Sequence, residues 1–183
     1  MTPLPENLAV YLRSFQESRI LLSAIELDLF TAIRDGARAP EAAARIGADA
    51  RATEMLMNAL VALGALTKRD GVFRNTPAAA DHFAGDSRLA LMHNVNLWTR
   101  WSCLTESVRQ GTAVNLVELE QRDAQWIAAF IAAMQLHSIE GAPVVAAAVD
   151  TSRMHRILDV GGGSGAYSIA FTKANSNLRA VVF

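Results

Sequence analysis

Cysteine is nearly absent from this chain of 183 residues, which contains only Cys103. A single cysteine excludes an intrachain disulfide and any metal site built from several cysteines. His93 and His137 have no second histidine one helical turn away, so we expect no metal site. A chain without disulfides is typical of a reducing compartment, and we therefore expect a cytoplasmic protein.

Charge of one sign is also lacking, because 17 Lys and Arg stand against 18 Asp and Glu, a formal net charge of −1. This balance produces no field that would attract nucleic acid or an anionic membrane. The longest apolar run, residues 142–149, is far shorter than the roughly 18 residues that span a bilayer. The first residues lack the pattern of a secretory signal. We expect neither a nucleic-acid partner nor a membrane.

Hydrophobic residues make up 51% of the sequence, and a chain of this length buries roughly 70% of its unfolded surface, so we expect a globular fold. Apolar residues at helical spacing, with caps before and glycines after them, predict mainly helical structure before residue 151. Asp28 is predicted to cap the second helix. The predicted helices are residues 5–27, 28–36, 40–46, 51–63, a short one opened by Thr76-Pro77, 86–111 and 122–140.

A β-hairpin interrupts the helices, because Asp70-Gly71 separates two short β-compatible runs, residues 66–69 and 72–75. Helix, turn, helix and hairpin in this order are typical of a winged helix. In a DNA-binding winged helix, residues 51–63 would enter the major groove.

The charges of this segment favour a structural role over DNA binding. Arg51 is the only cation of the helix, and the hairpin cations equally suit a solvated sheet edge. The helix residues predicted to lie in the core are Met55, Leu56, Leu60 and Leu63, and the hairpin cations are Lys68, Arg69 and Arg74. We favour a structural or dimer-forming winged helix, with a DNA-binding regulator as the alternative.

Four of the eleven glycines lie between residues 161 and 165. They follow a β-compatible run, residues 156–160, and precede a helical pattern, residues 166–173, and a second strand, residues 178–183. Strand, glycine loop, helix and strand are typical of the first half of a doubly wound α/β fold. Glycines allow a ligand to approach the backbone, and the helix N-terminus offers unpaired N–H groups. We therefore predict a nucleotide-type ligand.

The residues leave two ligands open. Gly161, Gly163 and Ala166 also satisfy the dinucleotide pattern G-x-G-x-x-A, so an NAD-binding oxidoreductase fragment is an alternative. A phosphate-binding P-loop is excluded because no Gly-Lys-Ser/Thr follows. Asp159 favours a cationic ligand, since its carboxylate would repel a pyrophosphate. S-adenosylmethionine carries an ammonium and a sulfonium group and no phosphate.

The run Asp159-Val-Gly-Gly-Gly-Ser-Gly165 resembles the D-x-G-x-G-x-G motif of class I S-adenosylmethionine-dependent methyltransferases. Three further stretches resemble the small-molecule O-methyltransferases of the caffeic-acid, hydroxyindole and bacterial polyketide-tailoring type. Residues 29–83 are similar to their dimerisation domain. The other two are Trp101-x-x-Leu104 with Val108-x-x-Gly111, and Phe130-x-x-Ala133-Met134 with Ser138.

The resemblance spans the whole chain and implies its fold and organisation. The fold class is a mainly α winged-helix dimerisation domain followed by the start of an α/β doubly wound methyltransferase domain. The implied segments are a dimerisation domain over residues 1–100, linker helices bordering the substrate pocket over 101–150, and the truncated start of the cofactor domain over 151–183. Because the family's members are longer, we expect a truncated O-methyltransferase or a degenerate, non-catalytic dimerisation module, and favour truncation.

The resemblance also implies a reaction and its residues. Methyl transfer from S-adenosylmethionine to a hydroxyl of a small, aromatic molecule is expected, with a homodimer formed through the N-terminal helices. The histidine base is expected beyond Phe183, so no catalytic residue is assigned here. The implied cofactor residues are Asp159, Gly161, Gly163, Gly165 and Ser138, and the implied pocket residues are Trp101, Phe130 and Met134.

Overall fold

The computed structural model describes residues 4–118 and 121–183. The chain is mostly helical, as predicted, and forms two compact units, residues 1–115 and 116–183. The first unit comprises α1 (Glu6–Glu26), α2 (Leu29–Ile33), α3 (Ala39–Ile46), α4 (Ala50–Ala62), β1 (Leu66–Arg69), β2 (Val72–Asn75), α5 (Pro77–Phe83), α6 (Ser87–Ser102) and α7 (Leu104–Gln110). The second comprises α8 (Ala124–Ala148), β3 (Arg156–Asp159), α9 (Ala166–Ala174) and β4 (Arg179–Val182).

Side-chain caps begin several of the helices. The Asp49 carboxylate accepts a hydrogen bond from the backbone N–H of Ala52 at 2.8 Å, which starts α4. The Asp28 prediction is wrong: this residue adopts a left-handed conformation with φ 57° and makes no cap hydrogen bond. Its carboxylate instead lies 3.5 Å from Nε of Arg88. Tertiary pairing with the start of α6 therefore replaces local capping.

Arg88 joins the beginning of α6 to the end of α1. Its Nε donates to the carbonyl of Ile25 at 2.6 Å, and a terminal nitrogen donates to the carbonyl of Glu26 at 2.9 Å. The last carbonyls of a helix have no partner within that helix, and a cation there is favoured by the helix dipole. Arg88 therefore fixes where α1 ends relative to α6.

The predicted hairpin is confirmed: β1 and β2 pair antiparallel, and Asp70 and Gly71 both have positive φ, 51° and 75°. Phe73 of β2 is fully buried, and its backbone also bridges to Ala37. The buried core around it draws on five helices and the hairpin. Its members are Ala24, Ile25, Leu29, Phe30, Ile33, Ala37, Ala39, Ala42, Met57, Leu60, Ala65, Leu66, Phe73 and Ala79.

Helix α4 faces this core differently from the prediction. Leu60 is buried and Leu56 is partly buried, but Met55 is 61% exposed and Leu63 is 39% exposed. The expectation that Met55 and Leu63 lie in the core is wrong. Thr53 and Met57 occupy buried positions instead, because the rotation of α4 is set by its packing against α3 and β1.

Two predicted helices have different bounds. The helix expected over residues 86–111 is interrupted at Cys103, whose φ of −93° and ψ of 6° leave the helical region. The helix expected to end at residue 140 continues as α8 to Ala148, through Gly141 and Pro143. A proline removes one helical hydrogen bond, but burial of Ala142 and Ala146 on either side of it favours continuation.

In the second unit, β3 and β4 pair parallel, with Asp159 opposite Val182, and α9 connects them. Helix α8 packs along α9. Its buried positions are all alanines, Ala129, Ala133, Ala142 and Ala146, and small side chains allow helix backbones to approach closely.

By length and composition alone, α8 is long and apolar enough to cross a membrane, and 17% of its most apolar stretch is buried. The helix does not contain a long unbroken apolar run, because polar residues such as Gln135, His137 and Glu140 interrupt it. One such helix is weak evidence for a span, since a core helix of a soluble protein has the same length and composition.

The opposite exposures of two methionines on α4 provide a matched test of the core. We expect Met57→Ala, at a fully buried site, to lower the free energy of unfolding by about 2–5 kcal/mol. Met55→Ala, at an exposed site, should change it by no more than about 0.5 kcal/mol. Chemical denaturation of both variants measures the difference, and equal losses would contradict this orientation of α4.

Candidate functional site

The glycine loop connects the end of β3 to the start of α9. Gly161, Gly163 and Gly165 have φ values of 70°, 53° and 73°, in the left-handed region that only glycine adopts without cost. The backbone N–H of Gly161 donates to the carbonyl of Phe183 at 2.7 Å, and the N–H of Phe183 donates to the carbonyl of Asp159 at 2.9 Å. The loop is therefore tied to the end of β4 before it turns into α9.

The Asp159 carboxylate lies at the carboxyl end of β3, between the loop and α9. The hydroxyl of Ser168, in the first turn of α9, donates to Oδ2 of Asp159 at 2.7 Å. A Cβ built on Gly162 would lie 2.6 Å from Cγ and from Oδ2 of the same carboxylate, and 2.8 Å from Cγ1 of Val182. The loop backbone therefore packs directly on Asp159, and a side chain at residue 162 would displace it.

Sequence reasoning missed two residues of this arrangement. Gly162 was not among the predicted cofactor residues, although it is the loop glycine that the packing requires. Ser168 was not singled out, although it is 4% exposed and holds Asp159. A serine in an otherwise apolar first helical turn is a weak signal that could have indicated it.

Asp159 is partly buried, and no Lys or Arg of residues 4–118 and 121–183 forms an ion pair with it. A partly buried carboxylate is costly unless it is hydrogen-bonded or paired with a cation. Ser168 supplies the hydrogen bond. The geometry is therefore suited to a cationic ligand group that would approach from outside the chain.

Helix α8 contributes the side chains next to the loop within the second unit. Cδ1 of Ile131 would lie 3.5 Å from a Cβ on Gly163. The predicted pocket residues Phe130 and Met134 are partly buried, and Phe130 stacks on Trp126 with ring centroids 5.6 Å apart. The hydroxyl of Ser138 donates to the carbonyl of Met134 at 2.8 Å, so its hydrogen is used within α8.

Trp101 belongs to the first unit, whereas the other predicted site residues belong to the second. It is 68% exposed, which is not the core position typical of tryptophan. It lines an open groove of about 410 Å³ between α1 and α6. The other lining residues are Ser18, Leu21, Leu22, Asn94, Leu97 and Trp98.

The described residues contain no group of three or more His, Cys, Asp or Glu side chains that could hold a metal ion.

Comparison with known proteins gives matches to both units. A family model described as the O-methyltransferase dimerisation domain matches residues 10–84, and one described as the O-methyltransferase domain matches residues 101–183. The 3-hydroxy-5-methyl-1-naphthoate 3-O-methyltransferase of Streptomyces sahachiroi is 35% identical, over 91% of this chain and 51% of that protein. The tetracenomycin polyketide synthesis 8-O-methyl transferase TcmO of Streptomyces glaucescens is 32% identical, over 98% of this chain and 56% of that protein. The chain thus spans about half the length of the curated relatives it matches.

Solved structures agree with these sequence matches. The structure described as PigF with SAH aligns with a TM-score of 0.84 and 25% identity, over 98% of this chain and 58% of that one. An O-methyltransferase family protein from Burkholderia thailandensis aligns with a TM-score of 0.81 and 25% identity, over 100% of this chain and 57% of that one. The DNA-binding, NAD-binding and non-catalytic alternatives find no support in these matches. The chain belongs to the S-adenosylmethionine-dependent O-methyltransferase family with an N-terminal dimerisation domain.

Proposed function

We propose that this chain takes part in methyl transfer from S-adenosylmethionine to a hydroxyl of a small, aromatic molecule. The observation that carries the proposal is the Asp159 carboxylate, held at the end of β3 beside three glycines with positive φ. The names of the two Streptomyces relatives, a naphthoate 3-O-methyltransferase and a tetracenomycin polyketide synthesis 8-O-methyl transferase, support the reaction and the acceptor class.

The cofactor would bind at the loop through Asp159, Gly161, Gly163 and Gly165. The residues fit the ligand: a carboxylate without an ion pair among the described residues suits the ammonium group of S-adenosylmethionine. A Cβ on Gly161 would meet no atom within 4 Å, so the backbone there is open to a ligand. When bound, the cofactor supplies an electrophilic methyl group on its sulfonium.

Helix α8 would carry two residues for the methyl acceptor, Phe130 and Met134, and one for the cofactor, Ser138. Phe130, Met134 and Ser138 are spaced four residues apart and share one side of the helix. An aromatic ring and a thioether suit an apolar acceptor. The Ser138 hydroxyl donates within the helix and keeps its lone pairs as acceptors, so it would accept a hydrogen bond from the cofactor. Trp101, on α6 of the first unit, stays a predicted pocket residue on the family resemblance alone. No catalytic base is assigned within the chain.

We infer a winged helix in the first unit from the order α3, α4, β1, β2, and the start of a doubly wound sheet in the second from the parallel pair β3 and β4. The segments proposed for the chain remain residues 1–100, 101–150 and 151–183. Cytoplasmic location remains a prediction.

Nucleic acid is not proposed as a partner, because the hairpin cation beside the expected recognition helix is already engaged by that helix. Nζ of Lys68 lies 3.1 Å from Glu54 and 2.9 Å from Asn58, and over the ring of Phe73. A membrane is not proposed either, because α8 packs along α9 and carries His137 and Glu140 on exposed positions.

We expect residues 1–183 to bind S-adenosylmethionine only weakly, with a dissociation constant well above micromolar. The loop would contact only the methionine end of the cofactor. Each hydrogen bond to a charged group that the rest of the cofactor does not make costs roughly 1.5–3 kcal/mol. Calorimetric titration measures the affinity. A micromolar constant would show that the loop suffices by itself, and tighter binding of NAD would contradict the proposed cofactor.

The first turns of α1 support a homodimer. Its exposed apolar residues are Leu8, Val10, Tyr11, Leu12 and Phe15. The first unit leaves them uncovered, and all of them except Val10 share one face of the helix, an apolar surface typical of an interface. A two-fold homodimer would bury the same surface of both copies.

Light scattering on residues 1–183 should therefore give about twice the chain mass of 19.7 kDa. Changing Leu12 and Phe15 together to Glu should give a monomer, because charges are costly in an apolar interface. Met55→Glu, at an exposed site on α4, is the control and should stay dimeric. A wild-type monomer at tens of micromolar would refute the proposal, as would a double variant that remains dimeric.

A further inference from the structure

Ser168 makes an unusual hydrogen bond for a serine within a helix. Such hydroxyls commonly return to a carbonyl of their own helix. Thr172, one turn further along α9, does this: its hydroxyl donates to the carbonyls of Ser168 and Ile169 at 3.0 and 3.1 Å. The Ser168 hydroxyl instead leaves the helix and donates to Oδ2 of Asp159 at 2.7 Å, from a site that is 4% exposed.

The helix itself does not require this serine. Alanine at residue 168 would be a better helix former and would leave no hydroxyl to satisfy in a buried position. A short hydrogen bond from a neutral hydroxyl to a carboxylate is among the stronger ones in proteins. The Ser168 hydroxyl therefore serves the Asp159 carboxylate and not the stability of α9.

The two neighbours of Asp159 restrain the carboxylate on one side. Ser168 occupies Oδ2, and the backbone of Gly162 packs so closely on Cγ and Oδ2 that a Cβ would not fit. No side chain of residues 4–118 and 121–183 other than Ser168 donates a hydrogen bond to this carboxylate. Oδ1 is thus left for a ligand, while the orientation of the group is already fixed.

We propose that Ser168 is a positioning residue, which orients the Asp159 carboxylate so that Oδ1 receives the α-ammonium group of the cofactor. The proposal rests on the proposed function, because it takes S-adenosylmethionine as the ligand of the loop. Its physical basis is pre-organisation: a carboxylate whose rotation is fixed before binding loses less conformational freedom when the ligand arrives. Ser168 itself contacts no ligand in this scheme and acts through Asp159.

The test compares two ligands that differ only at the ammonium group, S-adenosylhomocysteine and its analogue without the α-amino group. NMR titration of the full chain is suited to weak affinities and gives the dissociation constant of each ligand for the same protein. The wild type should bind S-adenosylhomocysteine at least about tenfold more tightly than the analogue, as a hydrogen-bonded charge pair implies. Ser168→Ala and Asp159→Asn should each reduce this preference to within about threefold, because the first removes the restraint on the carboxylate and the second removes its charge.

The double variant and a control separate positioning from a general structural role. Ser168→Ala in the Asp159→Asn background should cause no further loss of preference, because both act through one group. Gly162→Ala should resemble Ser168→Ala, since its Cβ would push the carboxylate away. Thr172→Ala, which removes a hydroxyl of the same helix that does not reach Asp159, should keep the wild-type preference.

Each other outcome has a distinct meaning. A preference retained in Ser168→Ala would overturn the positioning role and leave the proposed cofactor intact. If Ser168→Ala weakened the binding of both ligands equally, the positioning role would be overturned too. Partial unfolding lowers both affinities and leaves their ratio unchanged. A wild type that binds neither ligand, or both equally, would overturn the proposed function of Asp159 together with this inference.

Discussion

The packing of a glycine backbone on the Asp159 carboxylate is the constraint on which the second unit depends. Because Gly162 has no side chain, the loop can lie against the end of β3 while α9 begins close enough for Ser168 to donate to the carboxylate. The positive φ values of the neighbouring glycines then turn the chain into the helix. One carboxylate thereby sets the loop path, the start of α9 and the charge of the proposed site.

The first unit depends on a different contact, the burial of Phe73 from the hairpin among the surrounding helices. Arg88 adds directional restraint, because it joins the start of α6 to the last carbonyls of α1. These contacts hold the second half of α1 against the core of the first unit, where Ala24 and Ile25 are buried. The first half has no such partner in the described part of the chain, so its apolar side chains remain available for an interface.

Local rules in the sequence were sufficient for most of the element order. Asp70-Gly71 predicts the hairpin because both positions require positive φ, and the run from Asp159 to Gly165 predicts a strand, a turn and a helix. The same run carries the family resemblance that the comparisons confirm. Helix bounds were less predictable where packing outweighs propensity, as at Cys103, which interrupts a predicted helix, and at Pro143, through which α8 continues.

The sequence by itself determined the secondary-structure types, the glycine loop and the family, because these depend on residues close together in the chain. Only the tertiary structure decided the partners of individual side chains. It turned Met55 outward on α4, paired Asp28 with Arg88 instead of a helix end, and placed Ser168 against Asp159. Such pairings join residues of different elements, and their distances follow from how helices and strands pack, which the local pattern of residues does not encode.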